Sequence, residues 1–140
     1  MSGEEYSNLK NWLANRDVQK RVDQLAQKYK NRKIIIYGAG LLAEVLFDNY
    51  DLSGLDVIAV ADMKFDAESI DFKSYKAIHP CEIIRLKPDT IFLAARASCP
   101  IKIYLDDFIF PMTGKIRVET LIKKSFKEKI NDFYMYFPKS

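Results

Sequence analysis

The order of apolar runs along the chain predicts an α/β fold: an open parallel sheet with helices on both faces, preceded by an N-terminal helical segment. Three observations carry this. The runs IIIY in Lys33–Tyr37, DVIAVA in Asp56–Ala61 and TIFLAA in Thr90–Ala95 are apolar on every residue or nearly so. They lack the in-and-out alternation of a half-exposed strand, so both faces must be covered, as in a parallel sheet under helices. Stretches with helical spacing separate them. Finally, the first run passes directly into Gly38-Ala39-Gly40 and then into an apolar helix. Glycine weakens strands and helices alike, so a tight turn or a close approach is needed there.

Each element follows from its own residues. Glu4–Lys30 reads as helix, with Tyr6, Leu9, Trp12 and Leu13 on one face and Val18, Val22, Leu25, Ala26 and Tyr29 continuing a stripe. Asn15-Arg16-Asp17 divides it, and Asp17 is the expected N-cap of the second helix. Gly40–Tyr50 is the helix after the glycines, Asp51-Leu52-Ser53-Gly54 a turn, and Asp62 closes the second strand. Strand, helix and strand within about 30 residues make a βαβ unit. Met63–Ser74 reads as a loop, Tyr75–Ile78 as a short strand, and Cys81–Leu86 as a helix opened by Pro80. Ser98 and Pro100 predict the start of a helix over Ile101–Phe108, with Ser98 as its cap. Phe108–Phe110 reads as a short last strand and Pro111–Gly114 as a loop. Val118–Phe133 has helical spacing at Val118, Leu121, Ile122, Phe126, Ile130 and Phe133, with a basic opposite face, and FYMYFPKS is an aromatic tail for the domain or a partner chain. The expected organisation is a helical segment over 1–32, the sheet domain over 33–117, and a C-terminal helix and tail over 118–140.

Composition narrows the function classes. At 140 residues with 49% hydrophobic side chains, one domain with a substantial core is expected. A net charge of +3 gives no strong reason to expect nucleic acid. No apolar run approaches the roughly 20 residues of a membrane span, and the N-terminus MSGEEYSNLK is too polar for a secretory signal, so a cytoplasmic location is expected. Two cysteines without a CxxC pair and one histidine, His79, make a poor zinc set; no metal and two reduced thiols are expected.

Gly38-Ala39-Gly40-Leu41-Leu42-Ala43 matches G-x-G-x-x-[GA], after a strand and opening a helix, which is the context that gives the pattern meaning. Gly38 permits the turn, Gly40 lets a phosphate approach the backbone at Ala39 and Leu41, and Ala43 lets the helix pack on the strand. Asp62 stands roughly 20 residues further on, where a dinucleotide-binding fold places its acceptor for ribose hydroxyls, which favours NAD over NADP. Ala94-Ala95-Arg96 at the end of the third strand should face the glycines, with small Ala95 leaving room and Arg96 either pairing a phosphate or standing as a surface arginine. The alternative reading is that the glycines only make the turn and the pocket is empty.

KIIIYGAG, an acid ending the next strand, AIHPCEII and KPDTIFLAA together resemble the small Rossmann-like domains of bacterial polysaccharide and nucleotide-sugar biosynthesis, over about Lys33–Phe108. These include the N-terminal domain of sugar acyltransferases of the PglD type, the leading domain of CapD-type dehydratases and epimerases, and the C-terminal domain of sugar C-methyltransferases. The resemblance implies that Gly38, Gly40 and Asp62 hold NAD(P), a nucleotide or a nucleotide-sugar. Leu41-Leu42 depart from the pattern, since many members carry smaller residues and a further glycine or histidine there.

Groups for chemistry are sparse. Tyr6/Lys10 and Tyr29/Lys33 have the Tyr-x-x-x-Lys spacing but precede the loop; His79 reads as a turn residue; Asp106 and Asp107 are adjacent on a helix and point apart. Three functions stay open: a nucleotide-binding module, alone or with a partner enzyme of its pathway; an inert scaffold for dimerisation or protein interaction; and a small oxidoreductase or epimerase completed by a partner chain.

Overall fold

A computed structural model describes residues 2–123 and residue 130. Its centre is β1 (Ile34–Tyr37), buried on every residue. β1 pairs in parallel with β2 (Val57–Ala61) on one side and β5 (Thr90–Leu93) on the other. β4 (Tyr75–Ile78) extends the sheet beyond β2, with β3 (Asp71–Phe72) antiparallel at that edge, and β6 (Arg117–Thr120) lies in parallel beyond β5. The six-stranded order is β3-β4-β2-β1-β5-β6.

Alternation along the strands builds two cores. Ile34, Ile36, Val60 and Phe92 point to one face, where α1 (Ser2–Ala14), α2 (Val18–Lys28) and α3 (Leu41–Asn49) bury Leu13, Val22, Leu25, Val45 and Leu46. Ile35, Tyr37, Ala59, Ile91 and Leu93 point to the other, against Ile83 of α4 (Glu82–Leu86) and against Leu105 and Ile109 of a π turn (Leu105–Ile109). The protein is therefore the expected Rossmann-like α/β sheet, covered on both faces and preceded by helices. Among the described residues no helix is long and apolar enough to cross a membrane.

The break at Asn15–Asp17 is present, but Asp17 enters α2 in the left-handed region (φ 49°) and makes no side-chain capping bond. Ser98 also occupies its N-cap position without a side-chain capping bond. The loop expected over Met63–Ser74 contains β3 and a two-residue hairpin turn at Lys73-Ser74, both with positive φ (51° and 72°). Such a turn normally carries Asn-Gly. Here outside contacts hold it: Lys73 pairs with Asp48 at 2.9 Å, and Phe72 packs edge-on to Phe47 at 5.6 Å.

Three expectations are overturned. Phe108–Phe110 is no strand, and Pro111–Gly114 no simple loop: α5 (Cys99–Tyr104), a π turn (Leu105–Ile109) and α6 (Phe110–Thr113) run on continuously, with Leu105 and Ile109 on the buried side. The π widening falls in the turn before Pro111, whose ring would otherwise meet the carbonyl four residues back. Val118–Thr120 is strand rather than helix. β5 is buried on all four residues, so its outer backbone edge needs a hydrogen-bonded partner, and Arg117–Thr120 supplies one with β-branched Val118 and Thr120. The rest of the expected C-terminal helix, its basic face and the aromatic tail lie outside the described residues apart from Ile130.

Candidate functional site

The strand order places a topological switch point between β1 and β5. The chain leaves β1 through α3 toward β2 on one side, while β5 leads away on the other, so their following loops diverge and open a crevice. A cleft of about 450 Å³ sits there. It gathers Gly38, Gly40, Leu41, Asp62, Ala95 and Arg96, all expected from the sequence. Ala39 is the exception: it is wholly buried in the core and contributes only its backbone.

The two glycines have different reasons to be there. Gly38 has φ +126°, and a Cβ on it would lie 2.6 Å from the Ala94 carbonyl oxygen. Its N–H donates to Ala61 O at 2.8 Å, wedging the loop between the ends of β2 and β5. Gly38 is thus demanded by the fold. Gly40 is not. It is the exposed N-cap of α3, in extended backbone (φ −83°, ψ −168°) with no side-chain cap, and a Cβ there would meet nothing within 4 Å. Any residue fits that conformation, and serine or aspartate would cap the helix at least as well.

Asp62 reaches into the loop. Its Oδ2 accepts from the Ala39 N–H at 2.7 Å, and its Oδ1 accepts from the Lys64 N–H at 3.0 Å. The Lys64 ammonium donates in turn to the Ala39 carbonyl. The end of β2 therefore clamps the glycine loop through both polar groups of Ala39. Lone pairs remain on each Asp62 oxygen, and the side chain is only half-buried, so it can accept from a ligand as well.

Sequence reasoning missed Tyr37, Tyr104 and Trp12. Tyr37 is 4% exposed, lines the cleft, and its hydroxyl has no hydrogen-bond partner among the described residues. Burial, and then the neighbouring Tyr104 and Asp62, push its pKa well above the ordinary 10.0, so it stays a donor at any physiological pH. Burial likewise raises Tyr104, another lining residue. The available signal was the position of Tyr37: a polar tip at the carboxyl end of a strand that otherwise reads Ile-Ile-Ile. Arg96 is exposed, lacks a carboxylate partner among the described residues, and stacks on Trp12 of α1 with its guanidinium 4.6 Å from the ring centroid.

The other candidates stand apart from the cleft. Tyr6 donates to Asp48 at 2.8 Å and Tyr29 donates to Glu119, so both Tyr-x-x-x-Lys pairs belong to the packing of the N-terminal helices. His79 Nδ1 accepts from the Cys81 N–H at 3.1 Å, a turn contact. Asp106 and Asp107 are exposed on the π turn, and Cys81 and Cys99 are free thiols.

Fold and site together define an α/β protein with a cleft at the switch point of its sheet, built from a glycine turn, a helix N-terminus, one carboxylate and an exposed arginine over a tryptophan ring. No protein-family model, curated protein or solved structure matches the chain.

Proposed function

We propose that this protein is a nucleotide-binding module whose switch-point cleft holds the phosphate of NAD(P) or of a nucleotide-sugar. Gly40 carries the reading. The fold has no need of glycine there, yet glycine leaves the start of α3 bare beside the cleft. An anion placed there meets N–H groups with no intrahelical partner and the positive end of the helix dipole. Arg96 supplies a full positive charge on the opposite wall, and Asp62 an acceptor for ribose hydroxyls. The resemblance to domains of bacterial polysaccharide and nucleotide-sugar biosynthesis extends the proposal to that metabolism. The cleft offers groups that bind and orient, and no nucleophile–base pair, which favours a binding role over chemistry.

One observation favours the rival reading of a scaffold with an empty loop: both Asp62 oxygens already serve the backbone. A thermal-shift screen with NAD, NADP, UDP-glucose, GDP-mannose and S-adenosylmethionine separates the two. Binding predicts about 2.7 kcal/mol of added stability at a concentration 100 times Kd. A flat response to every compound supports the scaffold.

A further inference from the structure

The two edges of the sheet differ. At one, the two-residue β3 is folded back on β4. At the other, β6 comes last, and no described strand lies beyond it. Successive residues of a strand turn their backbone groups to opposite edges. The Leu121 N–H donates to Leu93 O at 3.1 Å, so Arg117 and Glu119, two and four residues before it, face β5, while Val118 and Thr120 face outward. The Thr120 carbonyl accepts from Arg21 Nε at 3.1 Å. The Val118 N–H and C=O have no partner strand among the described residues. An open edge of this kind is a template for another extended chain.

A cleft of about 360 Å³ runs beside this edge, between β6 and the last helical stretch. Leu105, Phe110, Ile116 and Val118 line it with apolar surface. Lys102 and Lys115 also line it; both are exposed, and neither forms an ion pair or side-chain hydrogen bond among the described residues. Asp106 is the one carboxylate of the lining and pairs with neither lysine. Side chains alternate along β6, with Ile116 and Val118 toward the cleft and Arg117 and Glu119 toward the other face. Arg117 is 67% exposed, and its Nε stands 4.0 Å from Glu119, which Lys28 and Tyr29 already hold.

The open edge is therefore flanked by cations on both faces of the sheet. Two copies of this chain meeting along β6 would bring two such rims together, so the same charges that disfavour self-pairing favour an acidic strand. A chain added to a sheet edge draws affinity from main-chain hydrogen bonds and specificity from pockets for alternate side chains. Here the cleft is a pocket on one face, and Arg117 is an anion contact on the other.

We infer that β6 takes up an extended acidic segment of a partner protein as an added strand. The main chain of that segment pairs with Val118, one apolar side chain enters the cleft, and the flanking carboxylates meet Lys102 and Lys115 on one face and Arg117 on the other. This surface is separate from the glycine-loop cleft and does not depend on what that cleft binds.

The test is titration of the full chain, followed by its backbone amide NMR signals, with end-capped peptides of two glutamates, a central Val, Ile, Leu or Phe, and two more glutamates. At least one of the four binds saturably, with the Val118 amide among the signals that move. Lys102→Glu/Lys115→Glu, whose own amide spectrum reports that it is folded, binds that peptide about tenfold more weakly. The same peptide is then N-methylated at its central residue or at the next one. Successive N–H groups face opposite edges, so one of the two forms loses its pairing and binds about tenfold more weakly than the other. Equal binding by the two methylated forms leaves charge attraction alone and overturns the added strand. Equal binding by a glycine-centred peptide overturns the cleft as its anchor. Val118 shifts that follow protein concentration without peptide give the edge to a second copy and overturn the acidic partner, as does the failure of all four peptides to bind.

Discussion

The Asp62 carboxylate accepts a 2.7 Å hydrogen bond from the Ala39 N–H in the middle of the glycine loop. The residue best placed to meet a ribose is therefore also a strut of the loop that would meet the phosphate. Its removal is expected to cost stability before any ligand is added. Asp62→Ala should lower unfolding free energy by about 1.5–3 kcal/mol, as expected for lost hydrogen bonds to a charged group. Urea denaturation without ligand measures this. A loss of binding in Asp62→Ala alone consequently says little about ribose contact.

The glycines separate fold from site. Gly38→Ala places a Cβ against the Ala94 carbonyl at a φ that side chains rarely adopt, and should destabilise by about 2–4 kcal/mol. Gly40→Ala meets open space and should cost no more than about 1 kcal/mol, the difference between glycine and alanine as N-caps. Parallel denaturation of the two variants checks the contrast.

Glu119 of β6 ties the N-terminal helices to the far edge of the sheet. It accepts from Lys28 at 2.7 Å and from the Tyr29 hydroxyl, and pairs with Arg21 at 3.4 Å. Burial alone would raise its carboxyl, but these hydrogen bonds and charges outweigh it and hold the pKa below the ordinary 4.5. A depressed folded-state pKa means that the unfolded chain binds the proton more tightly. The stabilisation is fully present above pH 4.5 and is lost as pH falls through the folded value. Asp48, held down by Lys73 and then Tyr6, acts with the same sign, so the wild type alone does not isolate Glu119. Glu119→Gln should cost roughly 1–2 kcal/mol at pH 7, with the gap to wild type narrowing as pH drops below 4.5. Denaturation curves at both pH values give the comparison.

Arg96 is exposed and, among the described residues, its guanidinium meets only the Trp12 ring, so Arg96→Ala should leave the unliganded melting temperature close to wild type. Loss of a charge-assisted phosphate contact should weaken nucleotide binding by about 10- to 100-fold. Calorimetric titration at fixed salt measures it. Unchanged affinity would return Arg96 to the ordinary surface.

What the sequence made legible was local. IIIY running into Gly-Ala-Gly and an apolar helix states its own conformation, and Asp62 at the end of the next strand follows from the same βαβ spacing. β6 was hidden because Val118, Leu121 and Ile122 fit helical spacing, and only the unsatisfied edge of β5, distant in sequence, makes Arg117–Thr120 a strand. The β3–β4 hairpin was hidden because Lys73-Ser74 carries no turn signal and is held by Asp48 and Phe47 of another element. Six of the seven expected site residues line the cleft because they flank strand ends. Trp12 was not legible beside the cleft: it meets Arg96 only once α1 has packed on α3.

The most direct test of the central claim is titration of wild type and Gly40→Val with the nucleotide that gives the largest thermal shift. Valine at this exposed cap should cost about 1 kcal/mol or less and leave the fold intact, as unfolding without ligand will show. The account predicts saturable binding to the wild type and none measurable in a folded Gly40→Val, because the side chain occupies the place of the phosphate. Equal binding by both, or no binding of any nucleotide by the wild type, would contradict it.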